Sequence, residues 1–387
     1  MKKNASISVI FVTVFIDLMG FGLLIPILPT FAGKQLHVSD FQIGIIIASF
    51  SFMQFLFNPV IGRLSDKFGR RKIILTTSVF TVSSYLIFSF STSFYMLLIS
   101  RIIAGIGGSN IGAAQAYIAD VTDKKSRSKG MGVIGAAFGL GFVFGPLLGG
   151  LISKISYEAV GFSAAAFSFS AFLFAYFFLP ESLKEKNVGK MNYRLVDFNA
   201  VLKVLRTPKL GFVVFLFFII VFSIANIYGT FAILGFKIFH FSDPQIAYLY
   251  SIIGIVGAFV QGGFLRVLVK RFMDRRLIIT GTVLMGIGLA ALPYGTSFGN
   301  VALITIVISI GSGILQPILL SKVSKLTAES DQGTVLGINQ SLASFARVLG
   351  PFWGGFAFEY IGYQFPFLTG ALFAFFTLGL IILYLKE

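Results

Sequence analysis

The chain has 387 residues, of which 56% are hydrophobic and only 12% charged. An average globular chain carries about 25% charged residues, so a soluble domain of this size could not cover its surface; the chain is also too apolar for disorder. Its 31 Lys plus Arg against 15 Asp plus Glu give a net charge of +16, which would suggest nucleic acid in a soluble protein but a loop bias in a membrane protein. The absence of cysteine removes disulfides, thiolate metal sites and Cys nucleophiles. The two histidines, His37 and His240, make a poor metal kit, and no cofactor is expected.

A helical span needs about 20 apolar residues. Twelve stretches qualify, at roughly 6–32, 41–61, 73–91, 94–118, 130–152, 159–179, 210–234, 244–265, 277–293, 299–320, 333–358 and 365–385. The first follows Met1-Lys2-Lys3 and imitates a signal peptide. Asp17 interrupts its apolar run, and Pro26 and Pro29 follow without a convincing small-residue cleavage site, so no cleavage is expected.

With both termini inside, the cytoplasmic segments hold Lys2, Lys3, Arg63, Lys67, Arg70, Arg71, Lys72, Lys124, Lys125, Arg127, Lys129, Lys184, Lys186, Lys190, Arg194, Lys203, Arg206, Lys209, Arg266, Lys270, Arg271, Arg275, Arg276, Lys322, Lys325 and Lys386, which is 26 of the 31. The outside loops hold three, Lys34, Lys154 and Lys237. That asymmetry orients the chain in the cytoplasmic membrane, accounts for the +16 without nucleic acid and supports an even number of spans.

One long polar stretch, 183–209, splits the chain into an N-terminal six-helix bundle (1–182) and a C-terminal one (210–387). The halves repeat each other. Gly145-Pro146-Leu147-Leu148-Gly149-Gly150 in span 5 returns as Gly350-Pro351-Phe352-Trp353-Gly354-Gly355 in span 11, and Gly132 and Gly337 share the same 205-residue offset. The expected fold is an all-α membrane protein of twelve transmembrane helices in two pseudo-symmetric halves, the sign of a duplicated transporter.

Three charges lie within spans. Asp17 sits about 15 Å along span 1, at 1.5 Å per residue. A carboxylate in lipid is costly and generally faces a polar cavity; burial and a nearby cation pull its proton affinity in opposite directions, so a balanced group can carry a proton. The plainer alternative is a neutral Asp bonded to backbone at a helix bend. Arg101 is the natural partner, since guanidinium stays charged; its plainer role is a brace to backbone carbonyls. Arg347, deep in span 11, needs an anion, supplied by a protein acid such as Asp17 or Glu359 or by a carboxylate- or phosphate-bearing substrate.

Three motifs carry a family resemblance. Gly62-Arg63-Leu64-Ser65-Asp66-Lys67-Phe68-Gly69-Arg70-Arg71-Lys72 after span 2 resembles the loop signature of the major facilitator superfamily. Arg101-Ile102-Ile103-Ala104-Gly105-Ile106-Gly107-Gly108 is similar to that superfamily's buried-arginine motif, and Gly132, Gly141, Gly145-Pro146 and Gly149-Gly150 to the antiporter motif of its drug exporters. Within it, Phe15 to Pro29, Ala116 to Asp123 and Leu179-Pro180-Glu181-Ser182 look like the tetracycline/proton antiporter branch. The likeness is close over 1–182 and thinner over 210–387. It departs where that branch has ionisable residues and this chain has Ser84, Gly257 and Met285.

The resemblance implies the major facilitator fold, proton coupling through Asp17 and Arg101, and a seal formed by Gly141, Gly145, Pro146, Gly149 and Gly150. It also implies an inner gate at Gly62, Asp66, Gly69, Arg70, Arg71 and Asp120, in which Asp66 meets a helix N-terminus and Arg70 and Arg71 pair with Asp120. A short positive-inside turn is the plainer alternative for that loop. Mid-span Gln54, Asn58, Gln115, Asn226, Tyr228, Gln261, Gln316, Asn339 and Gln340 are cavity candidates that suit an amphipathic ligand; others of this kind serve as interhelical hydrogen bonds.

The expected activity is secondary active transport, a monomeric proton-coupled antiporter exporting a drug-like or tetracycline-like amphipathic compound, with protons and membrane lipids as its other partners. An importer, or a transporter of an anionic metabolite, siderophore or lipid, shares the fold. No P-loop argues for ATP drive, no His-Glu-x-x-His or intramembrane acid pair for an enzyme, and no charged ring for a channel.

Overall fold

Lipid offers a backbone no hydrogen-bond partner, so a chain this apolar must fold into helices that satisfy their own amides. The computed structural model describes residues 2–122, 127–183, 198–328 and 331–384, and among these there are helices and no strand. In order they are α1 (Lys2–Lys34), α2 (Asp40–Phe68), α3 (Arg70–Ser89), α4 (Phe94–Gly107), α5 (Ile111–Val121), α6 (Arg127–Ile152), α7 (Tyr157–Phe178), α8 (Phe198–Arg206), α9 (Leu210–Ala225), α10 (Ile227–Lys237), α11 (Asp243–Phe259), α12 (Leu265–Arg271), α13 (Asp274–Ala291), α14 (Phe298–Lys325), α15 (Gln332–Tyr360) and α16 (Phe365–Tyr384).

Eleven helical stretches among the described residues are long and apolar enough to cross a membrane; α15 occupies the place expected for the eleventh span. Three spans are broken. A 3₁₀ turn, Gly108–Asn110, separates α4 from α5; Asn226 separates α9 from α10; a π turn, Val260–Phe264, separates α11 from α12. Such breaks survive in membranes where neighbouring groups satisfy the freed amides. Most of the expected linker, 184–197, lies outside the described residues, as do Lys124, Lys125, Lys184, Lys186, Lys190, Arg194 and Lys386.

The exposed surface is what lipid, not water, would accept: Phe177, Phe259, Leu372 and Leu383 are each at least 67% exposed. Hydroxyls inside the helices turn back on their own chain. Thr77, Thr81, Thr282, Thr305 and Ser309 each donate to the carbonyl four residues earlier, which removes a polar group from the apolar phase at little cost.

The described residues form two compact units. Unit 1 draws on Met1–Val38, Ser49–Leu195 and Asp243–Ser251; unit 2 draws on Ser39–Ala48, Val196–Ser242 and Ile252–Glu387. The start of α2 thus belongs to unit 2 and the start of α11 to unit 1. In unit 1, α1 runs along α6 and α7, and one core cluster gathers Ile10, Val14, Ile73, Tyr117, Ile118 and Leu179. In unit 2, α9 is the most buried span and packs on α14, α15 and α16.

Candidate functional site

Asp17 lies midway along α1, within unit 1. Its Oδ1 accepts the hydroxyl of Ser168 on α7 at 2.9 Å, and its Oδ2 accepts the amide of Asn110 at 3.3 Å. Asn110 reaches it because the 3₁₀ turn breaks the fourth span at that height. Close packing fixes the arrangement: a Cβ on Gly20 would stand 3.1 Å from the Ser168 hydroxyl and 3.4 Å from the ring of Tyr85. The carboxylate is therefore held by two neutral donors. An ionised Asp17 accepts from both; a protonated one brings its own donor, which the Ser168 hydroxyl can turn to accept. Both protonation states fit without moving a helix.

The expected Asp17–Arg101 pair is not among the ion pairs of the described residues. Arg101, 4% exposed on α4, donates to the Ser100 hydroxyl at 3.5 Å, and among the described residues its Nε has no partner. The Asp17 oxygens are already engaged by Ser168 and Asn110, and the buried Tyr85 lies within electrostatic reach of both charges. Ser84, where the tetracycline branch has an acid, is fully buried beside this cluster: its carbonyl accepts from Ser100 at 2.8 Å. The Ser84 hydroxyl itself donates to the Thr81 carbonyl at 2.7 Å, so this position adds no charge to the cluster. The other two departures differ in surroundings, since Gly257 has open space around it and Met285 is fully buried.

The loop between α2 and α3 is built around Arg70, whose side chain is 8% exposed. Its guanidinium binds Asp66 at 2.5 Å, Asp120 at 3.2 Å and the Ser65 hydroxyl at 2.5 Å. Asp66 thus meets Arg70 one helical turn on, where sequence suggested a helix N-terminus. Arg71 turns away from Asp120 and donates to the Tyr176 carbonyl while lying over the Tyr176 ring. Gly69 has φ +106° and offers α3 no side-chain cap. Glu181 supplies the cap: its carboxylate accepts from the backbone N–H of Arg70 at 2.9 Å and of Arg71 at 3.3 Å, an anion on a helix N-terminus. A Cβ at Gly69 would strike that carboxylate. Glu181→Ala is expected to cost about 1–2 kcal/mol, the usual worth of a cap, read as a lowered melting temperature in detergent, with Glu181→Gln falling between. Equal melting of Glu181→Ala and the parent would refute the cap.

In unit 2, Arg347 is only partly buried. Its Nη2 donates to Ser344 at 3.0 Å, Tyr228 lies within electrostatic reach, and it makes no ion pair among the described residues. Asn226 and Asn339 are fully buried with both amide atoms unpartnered among the described residues. Asn226 marks the α9–α10 break, where the Thr230 hydroxyl bonds its carbonyl. Gln54 spends its amide on the Gly108 carbonyl at 3.0 Å. Gln115, Gln261 and Gln340 are exposed, Gln261 on the π turn; Asn58 and Gln316 are half-buried. The partners of Asp17 were missed from sequence, because serines recur along most of the spans and only the fold shows which one faces across.

A duplicated bundle of membrane-length helices carrying a lone acid and two cations within its spans is the build of a secondary transporter. The family model described as Major Facilitator Superfamily matches residues 10–272 and 262–387, and the chain belongs to that superfamily. It is 31% identical to multidrug resistance protein 2 of Bacillus subtilis over 97% of this chain and 94% of that one. It is 32% identical to the class C tetracycline resistance protein of Escherichia coli, over 91% and 89%. The crystal structure of the human organic anion transporter MFSD10 aligns with TM-score 0.73 at 27% identity, covering 98% of this chain and 100% of that one. The nucleoside transporter NupG, 14% identical, shares the fold with TM-score 0.80 over the whole of both chains.

Proposed function

We propose that this chain is a proton-coupled antiporter that exports a small amphipathic compound by alternating access. It works as a monomer in the cytoplasmic membrane, with both termini inside. The observation that carries the reading is Asp17, a carboxylate in mid-helix whose two neutral donors accommodate either protonation state. Relatives named for multidrug and tetracycline resistance support export. Tetracycline itself is a weaker candidate, because Ser84, Gly257 and Met285 replace ionisable groups of that branch. The drive suffices: the membrane potential supplies about 2.3 kcal/mol per charge per 100 mV, and one pH unit adds about 1.4 kcal/mol per proton.

A second reading concerns the cargo. Arg347 is a partly exposed cation with no carboxylate partner among the described residues, and one relative is named an organic anion transporter. An anionic group on the cargo would meet that charge. The test is uptake into inverted vesicles of cationic, zwitterionic and anionic amphipaths, with and without an imposed proton gradient. Gradient-dependent uptake of one class is expected, and Arg347→Ala should weaken anions selectively. Gradient-independent uptake of everything would overturn antiport; undiminished anion transport by Arg347→Ala would overturn the second reading.

A further inference from the structure

A second internal repeat lies in the two outside loops. Lys34-Gln35-Leu36-His37-Val38-Ser39-Asp40-Phe41-Gln42-Ile43 returns 203 residues later as Lys237-Ile238-Phe239-His240-Phe241-Ser242-Asp243-Pro244-Gln245-Ile246. Lys, His, Ser, Asp, Gln and Ile coincide. The backbone repeats as well. His37 and His240 both take left-handed φ, 51° and 54°. Val38 N–H bonds the Ala32 carbonyl and Phe241 N–H the Gly235 carbonyl, each at 2.9 Å.

The two copies do not pair internally. In unit 1, Lys34 donates to Asp243 Oδ1 at 2.6 Å, and the Tyr157 hydroxyl donates to Oδ2 at 2.6 Å. In unit 2, Lys237 donates to both oxygens of Asp40, at 2.6 and 2.7 Å. The lysine of each copy takes the aspartate of the other. The environments match: the aspartate side chains are 12% and 10% exposed, the lysines 38% and 40%. Each aspartate lies in the first turn of a helix and each lysine in the last turn of another, where helix dipoles favour those signs.

The glycine motifs complete the pattern. A Cβ on Gly150 would strike Ala247 on α11, and one on Gly355 would stand 3.0 Å from Gly44 on α2. Each Gly-Pro-x-x-Gly-Gly thus ends against the helix start that a lysine holds.

Asp243 therefore ties the start of α11 to unit 1 while the helix continues, from Ile252, in unit 2; Asp40 ties the start of α2 to unit 2 while that helix continues, from Ser49, in unit 1. We infer that Lys34–Asp243 and Lys237–Asp40 are reciprocal clasps of the outer gate: transport requires both to open and both to reform in each cycle. These four are positioning residues that set how long the outer side stays shut. The inference rests on the alternating-access reading above and adds the residues that time it.

The natural chain has no cysteine, so an introduced one reports without background. Ser251→Cys is nearly isosteric at a site 5% exposed in the clasped start of α11, and Ala48→Cys serves the same purpose at 6% on α2. In intact cells, a membrane-impermeant maleimide should label Ser251→Cys slowly. Adding Lys34→Glu should speed labelling about tenfold, as loss of a charge-assisted pair shifts a two-state population. Lys34→Gln should act in the same direction, and Lys237→Glu should do the same for Ala48→Cys. The paired reversal Lys34→Asp with Asp243→Lys should restore the parent's slow labelling and its transport. Unchanged labelling in folded single variants, or a paired reversal that melts normally but still labels fast, would overturn the clasp. Labelling needs neither cargo nor a proton gradient, so failure of antiport would show separately, as a parent that clasps normally but shows no gradient-driven transport.

Discussion

Asp17→Asn is expected to insert, fold and bind cargo, yet to lose transport driven by a pH gradient. The side chains match in size. The Asn carbonyl can still accept the Ser168 hydroxyl, and its amide can donate to the Asn110 side-chain oxygen once that amide turns. The fold should therefore change by no more than about 1 kcal/mol, the worth of one neutral hydrogen bond. Coupling has no such substitute, because an amide takes up no proton near neutrality. For the parent, one pH unit supports about a tenfold accumulation ratio per proton; for Asp17→Asn that ratio should fall to about one. Exchange of labelled against unlabelled cargo, which needs no net proton movement, should persist. Full gradient-driven accumulation by the variant would remove Asp17 as the carrier. Loss of exchange as well would mean that the carboxylate serves cargo binding or packing.

How far such a site could be read beforehand differs by residue. Asp17 was legible because an acid in an apolar run is costly whatever the fold, and its depth followed from counting helix rise. Asn110 and Ser168 were not, because contact across helices depends on rotation about each axis, which a nearly all-apolar span leaves unspecified. The helix positions were legible from hydropathy; the break at Asn226 and the π turn at Val260–Phe264 were not, since one Asn, or Gln261-Gly262-Gly263, within an apolar run is equally compatible with a continuous helix. Arg101 was legible as a buried cation, and charge together with the family resemblance pointed it at Asp17; the two form no direct ion pair among the described residues, and Tyr85 lies within electrostatic reach of both. The cap from Glu181 depended on the left-handed backbone at Gly69. The lysine–aspartate repeat was present in the sequence throughout. It was obscured because Lys34 and Lys237 read as minor exceptions to the loop charge bias, and because the partners are exchanged between copies.

The glycines of spans 5 and 11 share a motif but not a role, and this sets the second large effect. A Cβ on Gly145 would lie 2.6 Å from the Gly22 Cα, 2.8 Å from its carbonyl carbon and 2.9 Å from the Met19 oxygen. All of these are backbone atoms of α1, which cannot rotate away. Ordinary contact begins at 3.4 Å, so α1 and α6 would have to separate along the line they pack on. Small residues at such crossings supply the packing that holds helices together in lipid, where the hydrophobic effect between them is absent. Gly145→Ala is therefore expected to cost about 3 kcal/mol, the upper end for overpacking, and to leave little active protein. Gly132 opens the same motif but has nothing within 4 Å. Gly132→Ala should be silent, or stabilising by up to about 1 kcal/mol through helix propensity. The second half repeats the contrast. A Cβ on Gly350 would meet Ala225 Cβ at 2.6 Å and the Asn226 nitrogen at 2.9 Å, while Gly337 is open. Melting temperatures of the four alanine variants in detergent should fall into two classes, Gly145 and Gly350 low, Gly132 and Gly337 at or above the parent. A uniform loss across all four would mean that the motif acts through backbone flexibility, and equal tolerance would mean that the close approach of α1 and α6 is not what holds unit 1 together.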